Sequence, residues 1–200
     1  MNPAKYKEYI SQYDIRRFVD AHRQIYASAL AEIRNGKKQS HWMWYIFPQL
    51  RGLGHSRNSN YYGIADQDEA LMFLHEPTLG RNLCEITMEM LAIDDKPIDE
   101  ILGGIDALKF RSSMTLFDSV YPDYIFSEAL KKYYGGKADE LTLKILQGKA
   151  NENEVLVQGG IIGAIIGDIV GSFYEFYNSK SANIALFTPS TTFTDDTVMT

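Results

Sequence analysis

The 200-residue chain has a single cysteine, Cys84, which excludes an internal disulfide framework and a zinc–cysteine cluster and fits a reducing compartment. It has no apolar run near the roughly twenty residues of a membrane span and no secretory leader, so a soluble, cytoplasmic protein is expected. It has no basic excess either: the net charge is −6, and no nucleic-acid footprint is expected. Strand-like alternation never lasts more than a few residues, and no internal repeat is visible. The apolar content of 45% is ordinary for a globular protein, so the fold class expected is all-α, in one or two domains.

The charge is unevenly spread. Residues 1–150 carry 20 acids and 19 bases, whereas residues 151–200 carry 6 acids and one base. Residues 1–12 show no core pattern and are expected to be a mobile lead-in. From Asp14, taken as an N-cap, the apolar positions Ile15, Phe18, Val19, His22, Ile25, Tyr26, Ala29, Leu30 and Ile33 mark one helix face. Asn35-Gly36 closes that helix with Gly36 in the left-handed cap, and His22 on the apolar stripe is expected to be a core histidine. Further helices are expected from Asp66 to about His75, Leu79–Leu91, a short turn after Pro97, Ile105–Val120, Asp123–Tyr134 and Ala138–Leu146. The helical domain thus spans residues 13–148, and the polar, aperiodic residues 149–157 are the expected linker.

The densest aromatic patch is SHWMWYIFPQLRGLG, with Trp42, Trp44, Tyr45 and Phe47 within six residues. Ser40 caps a short helix ended by Pro48, or the stretch is a buried extended segment. Two readings stand side by side. In one, the tryptophans are core and the polar loop His55–Tyr62 only connects helices. In the other, aromatic walls with His41, Gln49, Ser56 and Arg57 form a pocket for a flat or phosphorylated ligand. Lys109 and Ser113 lie four apart on one helix face, with Ser112 and Thr115 near. That group is either a phosphate grip or a salt-bridged surface lysine beside serines in a close helix contact. A helical hydrolase or transferase using His41 is a weaker alternative.

SHWMWYIFPQLRGLG and KFRSSMTLF resemble a small helical bacterial family catalogued as domain-of-unknown-function eighteen-ten, sometimes mislabelled calpastatin, over about residues 13–147. The resemblance implies an α-helical domain and no reaction. His41, Trp42, Trp44, Pro48, Gln49, Lys109, Ser112, Ser113 and Thr115 occupy its motif positions and form the candidate substrate pocket.

Residues 158–200 pose a separate question. Glycines 159, 163, 167 and 171 make a smooth helix face, and Asp168 and Glu175 lie two turns apart. The apolar run Ile161–Val170 is too short for a membrane span, and the spacing is not that of a dinucleotide fingerprint. Thr194, Asp195 and Asp196 offer hard oxygen donors suited to Mg2+ or Ca2+, although an acidic doublet is commonly a solvated turn. GAIIGDIVGSFYE followed by FTDDTVMT resembles the opening of the ADP-ribosylglycohydrolase family. That resemblance implies an all-α hydrolase domain, Mg2+ on Thr194, Asp195 and Asp196, catalytic roles for Asp196 and Glu175, with Glu175 near the ribose, and ADP-ribose or an ADP-ribosylated target as partner. The family's second acidic cluster, D-x-D-T/S, is not in these 200 residues, so a truncated opening, inactive as it stands, is expected. The alternative is a non-enzymatic helical ligand-binding or adaptor module with a vestigial acidic tail.

Overall fold

The computed structural model describes residues 13–54 and 56–150, with side chains to 148; the readings made for 1–12, His55 and the segment beyond 150 lie outside the described residues. Nine helices are found there: α1 (Arg16–Arg34), α2 (Met43–Ile46), α3 (Arg57–Tyr61), α4 (Gln67–His75), α5 (Pro77–Leu91), α6 (Ile98–Leu102), α7 (Gly104–Val120), α8 (Ile125–Tyr134) and α9 (Glu140–Ala150). The expected all-α class holds for the described residues.

Local chemistry sets most boundaries. Asp66 caps α4 by accepting the Glu69 N–H at 3.0 Å. Glu76 ends α4 and caps α5 through the Thr78 and Leu79 amides, with Pro77 in the first helical position, where a missing N–H costs nothing. Gly36 takes φ +69° after α1, the left-handed cap its sequence implied. Three expectations are corrected. Asp14 does not cap α1: Ile15 holds that position, and the Asp14 carbonyl instead receives the Arg17 guanidinium. Asp123 does not open α8 but sits at φ +57°, two residues before Ile125. The polar stretch read as a loop contains α3, capped by the Ser56 hydroxyl accepting from Ser59 N at 3.1 Å.

The long helices α1, α5 and α7 carry the packing: α1 lies on α5, α4 on α5 and α7, and α8 on α5 and α7, while α9 covers part of α7. Their apolar stripes meet in a chain of rings, Phe18 on Phe73 (5.0 Å), Phe73 on Phe117 (5.5 Å) and Phe117 on Phe126 (5.6 Å), which ties α1, α4, α7 and α8 together. All four rings are fully buried, each contributing about 1.5–3 kcal/mol of transfer free energy. Two polar groups enter this core with partners. Arg17 pairs with Glu69 at 2.7 Å, both buried, and also donates to the Tyr61 and Gly63 carbonyls. His22 meets the Tyr45 carbonyl at 2.7 Å and the Asn82 amide at 3.1 Å, and burial holds it down to about pKa 4, so it is the neutral core histidine expected. No helix among the described residues is long and apolar enough to cross a membrane.

Candidate functional site

The aromatic motif is held by one carboxylate. Glu32, near the end of α1, accepts from Gln39 N (2.7 Å), Ser40 N (3.0 Å), the Ser40 hydroxyl and Trp42 Nε1 (2.8 Å). Burial disfavours its charge, but these four donors outweigh that and bring the carboxyl down to about pKa 2. Ser40 is therefore part of this clamp and not the cap of α2. Trp42 is drawn fully inside, its ring 6.2 Å from Phe47. Trp44, two residues on, is half-buried at the surface.

The second motif meets the first here. Phe47 packs edge-on to Phe110 at 4.8 Å, and Lys109 Nζ lies 4.7 Å from the centre of the Trp44 ring, a cation–π contact. Asp106, one turn before Lys109, binds both Lys109 (2.6 Å) and Lys38 (2.7 Å), and Lys38 also sits 5.1 Å from the Trp42 ring. Burial opposes the charge on Asp106, and the two ammonium groups hold its carboxyl below the ordinary range. Lys109 is thus the salt-bridged lysine of one sequence reading and a wall of the pocket of the other.

Beside Trp44 the chain forms its one extended pairing among the described residues, a parallel bridge of Leu50 with Ile64. Ile64 N donates to Gln49 O at 2.9 Å and Arg51 N to Ile64 O at 2.8 Å, which fixes the backbone under Gln49. Gly63 makes the close approach possible: a Cβ there would stand 2.6 Å from the Ser59 carbonyl oxygen and 2.9 Å from Arg51 Cα. The result is a hollow of about 230 Å3, counting its open mouth, lined by Trp44, Gln49, Leu50, Gly54, Ser59, Tyr62 and Gly63. Burial, reinforced by Tyr61, raises the Tyr62 hydroxyl, which stays neutral and able to donate.

The candidate residues therefore divide. Trp44, Gln49 and Lys109 come together at this hollow. Trp42, Ser112 and Ser113 are corrected out of direct substrate contact: Trp42 is wholly buried and bound to Glu32, Ser112 is buried against the Thr142 hydroxyl at 2.6 Å, and Ser113 is wholly enclosed. A phosphate cannot reach these serines. His41 is exposed, with its carbonyl accepting from the Tyr45 hydroxyl at 3.0 Å, and it does not line the hollow. Ser56 and Arg57 are spent on starting α3. Tyr62, Ser59, Gly63 and Asp106 were not singled out by sequence, since only the fold brings them there. Cys84 is buried and its thiol pushed up, and among the described residues no three His, Cys, Asp or Glu side chains are grouped to hold a metal ion. Glu175, Thr194, Asp195 and Asp196 lie outside the described residues.

With this geometry in hand, comparison with known proteins assigns the class. Residues 12–146 match the model of the family described as protein of unknown function, DUF1810, and the chain belongs to that family. It is similar to the conserved hypothetical protein Rv1873 from Mycobacterium tuberculosis, whose crystal structure shares 42% identity and superposes with a TM-score of 0.67, covering 68% of this chain and 98% of that one. No curated protein matches the chain. These comparisons lend no support to the resemblance of residues 158–200 to ADP-ribosylglycohydrolases.

Proposed function

We propose that the helical domain is a binding module that receives a small flat molecule in the hollow beside Trp44. The observation that carries this reading is the convergence of the two motif stretches, some sixty residues apart, on one half-buried indole: Lys109 on the ring and Gln49 at its side. The lining favours binding over catalysis, because it holds no carboxylate, histidine or cysteine that could act as base or nucleophile among the described residues. ADP-ribose, NAD and nicotinamide are the first probes, chosen on the resemblance of the segment that follows the domain. Calorimetry on the full chain should give one-to-one binding of at least one of them, lost in Trp44→Ala. Binding that survives Trp44→Ala, or none by any probe, overturns the reading.

The pattern GDIVGS with TDDTVM favours a second reading for residues 158–200, the opening of a hydrolase that removes ADP-ribose from modified targets. Its donor set, one hydroxyl and two carboxylates on Thr194, Asp195 and Asp196, suits Mg2+, which would supply Lewis-acid chemistry when bound. Glu175 would add a carboxylate beside the ribose. A Mg2+ titration of the full chain should release heat that Asp195→Asn with Asp196→Asn removes; identical traces overturn this reading.

A further inference from the structure

Resting on the proposed Trp44 site, we infer its ligand class: a neutral, flat nitrogen heterocycle that carries a hydrogen-bond donor next to an acceptor on one edge. Three polar groups on the residues lining the hollow have no hydrogen-bond partner among the described residues, namely the Trp44 indole N–H, the Gln49 side-chain amide and the Tyr62 hydroxyl. Elsewhere in the domain such groups are committed: Trp42 to Glu32, Asn82 to His22, Tyr26 to Glu85, Tyr134 to the Ala107 carbonyl. Three uncommitted groups around one recess are therefore a local exception to how this protein treats its polar side chains.

The chemistry of these groups selects the ligand. A glutamine amide presents a donor and an acceptor side by side, and its complement is an edge with the reverse order, as in an amino-heterocycle or a ring carboxamide. Trp44 and Tyr62 supply ring surfaces for stacking, and the Trp44 N–H and Tyr62 hydroxyl add directional contacts. No charged residue lines the hollow, and the nearest cation, Lys109, is neutralised by Asp106. The site therefore has no preference for an anion, and phosphate is not what it reads. About 230 Å3, open mouth included, lies below the ~300–1,000 Å3 of pockets that enclose drug-sized ligands, so the hollow takes a flat ring system and leaves any attached sugar or phosphate outside. The backbone bridge at Gln49–Ile64 fixes the amide's stem in advance, which lowers the ordering cost of binding.

Two sources share this edge, adenine and nicotinamide, and one experiment separates them. The full chain is titrated by calorimetry with adenosine, nicotinamide, benzoate and inorganic phosphate. Binding of adenosine or nicotinamide is expected, identifying the source, with benzoate and phosphate inert. Gln49→Leu should then weaken the bound probe about ten- to hundredfold, the range for losing one bidentate edge, with its urea midpoint unchanged as proof of folding. Benzoate binding as well as nicotinamide, or full affinity in Gln49→Leu, overturns the ligand class but leaves binding at Trp44 standing. Failure of adenosine and nicotinamide while ADP-ribose still binds in a Trp44-dependent manner does the same. Failure of every probe removes both inferences.

Discussion

Replacing Glu32 with alanine tests how the SHWMW motif is held. The carboxylate accepts four hydrogen bonds, from two backbone amides, one hydroxyl and the indole of a fully buried tryptophan. The Ser40 hydroxyl can rotate to another acceptor, and the amides of exposed Gln39 and half-buried Ser40 can turn to water. The Trp42 N–H has no such exit, and an orphaned buried donor costs about 1–3 kcal/mol. Adding roughly 0.5–1.5 kcal/mol for each of two exposed amide bonds gives a loss of about 2–5 kcal/mol for Glu32→Ala. Glu32→Gln keeps one acceptor oxygen and should cost less, about 1–2 kcal/mol. Urea denaturation is the assay, with the midpoint shifting and the slope unchanged. A loss below about 1 kcal/mol for the alanine variant would mean that Trp42 does not depend on this clamp and would refute the reasoning.

Other outcomes follow from the same structure. Arg17→Met leaves Glu69 charged, buried and unpaired, and should cost about 3–5 kcal/mol in urea unfolding; a change under 1 kcal/mol would contradict the buried pair. Gly63→Ala drives a Cβ into backbone atoms and should cost about 1–3 kcal/mol, together with loss of probe binding; wild-type melting would show that the loop gives way freely. The acid sensitivity of the fold has a worked sign. His22 is depressed to about 4 from an unfolded value near 6.5, so its contribution is complete above pH 6.5 and is lost as pH falls towards 4, by about 3 kcal/mol in all. Burial also depresses His75, which acts in the same direction. Stability that stays flat from pH 6.5 to 4.5 would contradict a buried neutral His22. Lys109→Met should leave the fold near its original stability yet alter the Trp44 fluorescence, since the surface ion pair is worth about 0–1 kcal/mol.

What could be read beforehand was local. The Asp66 cap, the Glu76-Pro77 break, the Gly36 cap and the apolar stripe through His22 each express their outcome within a few residues, and the helices came where those signals lie. The site was half legible. Trp44 and Lys109 belong to conspicuous motifs, but that Trp42 turns inward while Trp44 stays at the surface is decided by Glu32, ten residues earlier, and α2 is too short for periodicity to choose between them. Ser112 and Ser113 looked available because nothing nearby announces that α9 brings Thr142 over Ser112. Asp14 lost its cap role to Arg17, a side chain drawn inward by Glu69 from another helix. Gly63 and Tyr62 join the hollow only through the Leu50–Ile64 bridge, a contact between separate stretches with no signature in either.

The most direct test of a ligand site at Trp44 uses the chain's own two tryptophans. Their indole N–H signals in a nitrogen–proton correlation spectrum report from opposite circumstances: Trp42 sealed on Glu32, Trp44 open at the hollow. Titration with adenosine or nicotinamide should move the Trp44 signal saturably while the Trp42 signal stays in place. A stationary Trp44 signal at saturating probe, or equal movement of both, would contradict the site.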